Sequence, residues 1–125
     1  DASVPPHHVG VSRVEGLVQI DTRDLIAAVC GAIERRDAPG AIAGRFHSSL
    51  AAAVARACGT LRDDTGLDRV VLGGGVFHND LFTGELTRRL TATGFAVFCP
   101  REVPVGDGGI ALGQVLVANA RREAE

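Results

Sequence analysis

Two glycine-rich segments contain the residues of this chain whose types and spacing could do chemistry. The first, LGGGVFHN at residues 72–79, places Gly73, Gly74 and Gly75 between an apolar run and the start of a helix. Backbone N–H groups without neighbouring Cβ atoms let a phosphate or ribose approach closely, and the helix dipole favours negative charge there. Three glycines after a strand are also a common tight turn, so this segment alone leaves both interpretations open.

Asn79 ends this segment and has two possible roles. Asparagine is a preferred N-cap residue, and the helix that follows needs one. Its side-chain amide also carries two donors and an acceptor, which could read a nucleotide. The sequence alone favours the cap.

The second segment, VGDGGIALG at residues 105–113, surrounds Asp107 with glycines. A carboxylate with open backbone around it suits a divalent cation, and one such ligand fits iron, zinc or magnesium equally. The alternative is a turn aspartate that caps the last helix, since turns rich in Asp and Gly are common.

The elements around these segments predict an α/β fold. Short apolar strands are expected at Leu17, Val70 and Phe95, and helices after Asp21 or Thr22, from Pro39, after Asn79, and from Ile110. Apolar strands alternating with helices favour a small, largely buried sheet, although three strands would leave an edge and a face uncovered. Ligands in such sheets bind outside the carboxyl ends of the strands, so both glycine segments are expected at one edge.

Composition excludes several classes of function. The net charge is −2, which gives no general attraction to nucleic acid, and the chain has no apolar run long enough for a membrane helix. All thirteen basic residues are Arg, so no Schiff-base or Walker-type lysine is present. The cysteines at 30, 58 and 99 form no CxxC pair and are expected to be buried free thiols. These features predict a cytoplasmic location.

The sequence contains no Met, so we expect it to be part of a longer protein. Residues 1–15 are expected to be a linker or a cut loop, and residues 16–125 the folded unit. His7 and His8, which are adjacent, are interpreted as residues of that linker.

Several segments together resemble one family. The runs VVLGGGVFHNDLF, LTRRL, GFAVFCP and VPVGDGGIALGQ, with IDTRDLIAAV and IAGRFHSSLA upstream, are similar to the C-terminal end of the HypF carbamoyltransferases. That family has a Kae1-like domain of the ASKHA superfamily, which groups sugar kinases, Hsp70 and actin. The resemblance therefore implies that the fold is the C-terminal lobe of an ASKHA (RNase H-like, actin-like) domain.

The resemblance also implies an activity. The family forms a carbamoyl-adenylate from carbamoyl phosphate and ATP, and transfers the carbamoyl group to the C-terminal cysteine of the partner protein HypE. This step belongs to the maturation of nickel–iron hydrogenases. The family's nucleotide-binding positions correspond here to Gly73, Gly74, Gly75 and Asn79, and its metal-binding carboxylate corresponds to Asp107.

Some positions depart from the family pattern. His78 stands where the family usually has Gln, and Gly106 where it often has Asn. The family's HxxxH metal motif lies upstream, and His7-His8 does not match its spacing. The family often has His at the position of His47, and we interpret this residue as a satisfied, partly buried histidine rather than a catalytic one.

Three functions remain open from the sequence. The first is the nucleotide- and metal-binding lobe of a carbamoyltransferase, expected to be inactive without its other lobe and upstream domains. The second is a non-catalytic module of the same fold that docks a maturation partner. The third is a tRNA-modification protein of the sister Kae1 branch, against which the phrase DGGIALGQ speaks.

Overall fold

The computed structural model describes residues 5–123. A β-hairpin comes first, formed by β1 (Gly10–Val14) and β2 (Leu17–Asp21). Two helices follow, α1 (Arg23–Glu34) and α2 (Pro39–Thr65). The rest of the fold is β3 (Arg69–Val71), α3 (Asp80–Ala92), β4 (Ala96–Phe98) and α4 (Ile110–Glu123). Short 3-10 turns at Gly75–His78 and Asp107–Gly109 precede α3 and α4.

The expected alternation of helices and strands is confirmed, but the expected single, largely buried sheet is not, since the four described strands form two separate pairs with many exposed residues. The hairpin is antiparallel and places Gly10 opposite Asp21. Strands β3 and β4 are parallel, with Val70 opposite Val97, and helix α3 connects them. Parallel strands need such a crossover, whereas an antiparallel pair closes with two residues.

The prediction that residues 1–15 are a linker or cut loop is corrected for its described part. Residues 10–14 form a strand, and Val9 is completely buried against Leu25 and Ala53. The hairpin turn explains the difference, because Glu15 and Gly16 both have positive φ angles, of 52° and 83°. Glu-Gly is a weak form of this turn signal compared with Asn-Gly or Asp-Gly. Residues 1–4 lie outside the described residues.

Helix α2 is the centre of the packing. Pro39 occupies its first turn as predicted, and Gly66 ends it with a left-handed φ of 71°. Its most buried residues are small: Ser49, Ala51, Ala52 and Ala53. Small side chains let neighbouring elements approach closely, so α2 contacts the hairpin and α1 on one side and α3 on the other.

Two clusters form the core on either side of α2. One contains Val9, Leu25 and Ala53. The larger one fixes the β3–α3–β4 unit, and its buried members are Ala51, Leu72, Phe82, Leu86, Leu90 and Phe95. The edge and face that we expected to be uncovered are exposed, since Val71 is 73% and Phe98 is 53% accessible. Among residues 5–123, no helix combines the length and hydropathy that a membrane span requires.

Candidate functional site

The two glycine segments lie against each other at one edge of the β3–β4 pair. Because these strands are parallel, the loops that follow Val71 and Phe98 leave from the same edge. The backbone N–H of Gly74 donates to the Val105 carbonyl over 2.6 Å, which joins the loops directly. The prediction that both segments share one edge is confirmed.

The first loop leaves its glycines open. A Cβ atom added at Gly73, Gly74 or Gly75 would meet no protein atom within 4 Å. Gly74 has φ +114° and ψ 159°, a conformation essentially restricted to glycine. No protein atom therefore occupies the space beside this backbone where side chains would stand.

The second loop uses its glycines differently. A Cβ at Gly109 would lie 2.7 Å from the Pro104 carbonyl oxygen, and one at Gly108 would lie 3.3 Å from the Pro104 ring. These glycines therefore allow the loop to fold tightly onto itself. Asp107, directly before Gly108, is exposed and stands in the turn that leads into α4.

Asn79 is the N-cap of α3, as its residue type predicts. Its Oδ1 accepts from the Phe82 backbone N–H over 3.0 Å. Its Nδ2 contacts the Nε2 of His47 over 2.9 Å. The amide therefore faces the site with its orientation fixed from two directions.

His47 is satisfied and partly buried, in agreement with the sequence-based interpretation. Its Nδ1 contacts the Ala43 carbonyl oxygen over 2.7 Å, and its Nε2 contacts Asn79. Sequence reasoning missed this second partner. The two residues are 32 positions apart, and no local periodicity relates them.

The metal-binding role of Asp107 stays a prediction, in which its carboxylate would provide one ligand group. Within the described range, no three His, Cys, Asp or Glu side chains come together in a geometry that could hold an ion. A divalent ion favours several oxygen or nitrogen ligands. If Asp107 binds an ion, the remaining protein ligands would have to come from outside residues 5–123.

The three cysteines differ in their burial. Cys58 and Cys99 are partly buried beside the larger core, and burial raises the pKa of the Cys58 thiol. Cys30 is exposed, so the expectation that all three thiols are buried is wrong at that position. The buried residues of α1 are Leu25 and Ala32 instead.

Comparison with known proteins gives the family. Residues 3–114 match the model of the carbamoyltransferase, Kae1-like domain, second subdomain. This chain belongs to the HypF carbamoyltransferase family. Carbamoyltransferase HypF2 of Cupriavidus necator is 46% identical over 79 residues, which are 63% of this chain and 10% of that protein. Carbamoyltransferase HypF of Synechocystis is 34% identical over 113 residues, or 90% of this chain and 14% of the relative.

Solved HypF structures have the same fold. A full-length HypF in its phosphate- and nucleotide-bound form superposes with a TM-score of 0.85 at 28% identity. The match covers 92% of this chain and 15% of that one. HypF of T. kodakarensis gives a TM-score of 0.76 at 30% identity, over 99% of this chain and 16% of its own length. The expected fold, the lobe of an ASKHA-type domain, is confirmed.

The two departures from the HypF pattern contact each other in this chain. A Cβ at Gly106 would lie 3.0 Å from the Nε2 of His78. A larger residue at 106 therefore requires His78 to move.

Proposed function

We propose that this chain is the nucleotide- and metal-binding lobe of an ATP-dependent carbamoyltransferase. In the whole protein, ATP and carbamoyl phosphate would give a carbamoyl-adenylate, and the carbamoyl group would pass to the C-terminal cysteine of a HypE-like acceptor. The setting would be nickel–iron hydrogenase maturation in the cytoplasm. The chain spans about a seventh or less of the relatives described above, so the remaining lobe and upstream domains are part of this proposal.

The observation that carries the proposal is the open glycine loop at the shared edge. Gly73 and Gly74 lie between β3 and the 3-10 turn that leads into α3, Gly75 begins that turn, and a Cβ atom added at any of the three would meet no protein atom within 4 Å. The N-terminus of a helix attracts negative charge, and backbone N–H groups can donate to phosphate oxygens. The Gly74 N–H already donates to Val105, so we propose that the open backbone of Gly73 and Gly75 is what a phosphate or ribose approaches.

The second loop adds a carboxylate beside the first. The Gly74–Val105 hydrogen bond holds the loops together, and Asp107 follows Val105 by two residues. A divalent ion held partly by Asp107 would neutralise phosphate charge. The family match favours this function over the tRNA-modification alternative, since the matched model describes a carbamoyltransferase domain.

The test is a methyl group placed in the open loop. Gly73 has no positive φ, and a Cβ there meets no protein atom, so Gly73→Ala leaves the fold unstrained. We expect ATP affinity of the full-length protein to fall by about ten-fold or more, equivalent to about 1.4 kcal/mol, because the methyl occupies ligand space. Isothermal titration calorimetry gives the affinity, and the thermal unfolding midpoint shows whether the fold is intact.

Gly59→Ala is the matched control. Gly59 lies in the second half of α2, has no positive φ and also has open space around its Cβ position. This variant should bind ATP as the wild type does. Equal ATP affinity of Gly73→Ala and Gly59→Ala would show that the glycine loop is a turn and not a nucleotide site.

A further inference from the structure

His47 connects helix α2 to the edge that carries the glycine loops. Its Nδ1 lies 2.7 Å from the Ala43 carbonyl oxygen, one turn earlier on the same helix. A carbonyl oxygen can only accept, so Nδ1 carries the hydrogen and donates. In the neutral ring Nε2 is then an acceptor, and it faces the Asn79 amide nitrogen at 2.9 Å.

The Asn79 amide has one orientation that satisfies both of its contacts. Its Oδ1 accepts from the Phe82 N–H over 3.0 Å, so the NH₂ group must face His47. Reversing the amide would break the cap and set two acceptors against each other. One N–H and one lone pair remain free to meet a ligand.

The histidine ring is itself fixed. It lies edge-on to the Phe46 ring, with centroids 5.6 Å apart and an interplanar angle of 88°. Phe46 packs against the buried cluster that contains Leu25 and Ala53. The core therefore holds Phe46, the Phe46 ring restricts the His47 ring, and a hydrogen bond from the Asn79 amide to His47 restricts that amide.

We infer that His47 is a positioning residue for nucleotide recognition, which it performs by holding the Asn79 amide in its ligand-ready orientation. This inference rests on the proposed function, in which Asn79 contacts the nucleotide. An exposed asparagine without a partner would sample several rotamers, and binding would have to restrict them. A side chain already held in place avoids that loss, so affinity rises without any contact between His47 and the ligand.

The experiment compares two amide substitutions of His47 in the full-length protein. In His47→Gln the side-chain oxygen reaches approximately the position of Nε2 and can accept from Asn79. In His47→Asn the amide reaches only the position of Nδ1 and leaves Asn79 without this partner. Asn79→Ser keeps an N-cap oxygen and removes the amide. Ser48→Ala is the control, since it removes the nearby contact between Ser48 and Arg89 (3.0 Å) without affecting Asn79.

ATP affinity is measured by calorimetry, together with the thermal unfolding midpoint. We expect Asn79→Ser and His47→Asn each to weaken ATP binding by roughly three- to ten-fold, the range of one hydrogen bond. The double variant should bind no more weakly than Asn79→Ser alone, because both changes act through the same amide. His47→Gln should stay within about two-fold of wild type, and Ser48→Ala should be unchanged.

The results distinguish failure of the positioning role of His47 from failure of the proposed nucleotide site. If Asn79→Ser weakens binding while His47→Asn does not, the positioning role is wrong and the nucleotide site stands. Additive losses in the double variant, or a His47→Gln protein as weak as His47→Asn, also overturn the positioning role. If Asn79→Ser binds ATP normally, Asn79 does not read the nucleotide and the inference fails. The Gly73→Ala result then decides whether the loop binds nucleotide at all.

Discussion

Asp21 joins strand β2 to helix α1 through its contacts with Arg23. Its Oδ1 accepts from the Arg23 backbone N–H over 3.0 Å and from Nε over 2.9 Å. Its Oδ2 accepts from Nη2 over 2.5 Å. Hydrogen bonding to the Arg23 side chain is the main cause that lowers the pKa of the Asp21 carboxyl from 3.8 to about 2. Thr22 forms no side-chain cap, so Asp21 organises this junction.

A carboxyl titration followed by NMR should therefore show Asp21 with a midpoint of about 2. A lowered pKa means that the contact stabilises the fold above the ordinary carboxyl pKa, and that this contribution is lost as pH falls toward about 2. In Arg23→Gln the Asp21 pKa should rise toward its ordinary value. Arg35→Gln, which removes the exposed Arg35–Asp37 pair, should leave the Asp21 titration unchanged. A titration of Asp21 that is insensitive to Arg23→Gln would contradict this account.

At the scale of residues, the sequence indicates which residue types could serve a given role, but it does not indicate which residues from distant segments contact each other. Asn79 was predicted as a cap because that role depends on the three residues that follow it. The openness of Gly73 and the tight packing of Gly109 were not distinguishable, because both are glycines after apolar runs. The contact of His47 with Asn79 depends on how α2 packs on α3, which no local pattern encodes.

At the scale of elements, the sequence predicted the helices and three of the four described strands, and it missed one short strand. Helix α2 was expected from Pro39, and it begins there. Leu61 of α2 is 47% exposed although it is apolar, whereas the small residues Ser49 and Ala51 are completely buried. Contacts on two sides of α2 widen its buried surface beyond a single stripe. Strand β1 was missed because a five-residue strand is recognised mainly by its partner.

Helix α3 offers a test of the larger core. Leu86 is completely buried, whereas Leu81 on the same helix is 58% exposed. Leu86→Ala should lower the free energy of unfolding by about 2–5 kcal/mol, because the cavity lies among packed neighbours. Leu81→Ala should change the free energy of unfolding by less than about 1 kcal/mol. Urea denaturation of the chain measures both, and similar losses for the two variants would mean that α3 does not pack on this core as described.

At the scale of the whole molecule, much apolar surface is exposed among the described residues. Helix α4 buries none of its side chains, and Leu116 is 62% and Val115 63% accessible. The outer residues of β3 and β4, Val71 and Phe98, are exposed as well. Exposed apolar surface of this extent is typical of a unit that functions against other protein surface. The sequence predicted the exposure of the sheet, since a sheet of so few strands cannot cover both faces, but it did not predict the exposure of α4.

The exposed site limits the chemistry that this chain can perform without the rest of the protein. A carbamoyl transfer needs the adenylate held, its leaving phosphate stabilised and the acceptor thiol brought into line. The described residues supply an open glycine loop, the Asn79 amide and the carboxylate of Asp107, all at one exposed edge. An exposed edge does not keep water away from a labile intermediate. A single carboxylate also holds a divalent ion weakly, because affinity grows with the number of ligands.

We accordingly expect residues 1–125 alone to transfer no carbamoyl group, and to bind ATP weakly at most. The full-length protein should transfer it to the acceptor's C-terminal cysteine, detected as a thiocarboxamide by mass spectrometry. In that protein Asp107→Ala should lose the bound metal and the activity together, because the metal would be shared between Asp107 and ligands outside this chain. Asp63→Ala, which removes an exposed carboxylate on α2, should retain both. Efficient transfer by the isolated chain would show that this lobe is sufficient, and full activity of Asp107→Ala would show that its carboxylate is not a required ligand.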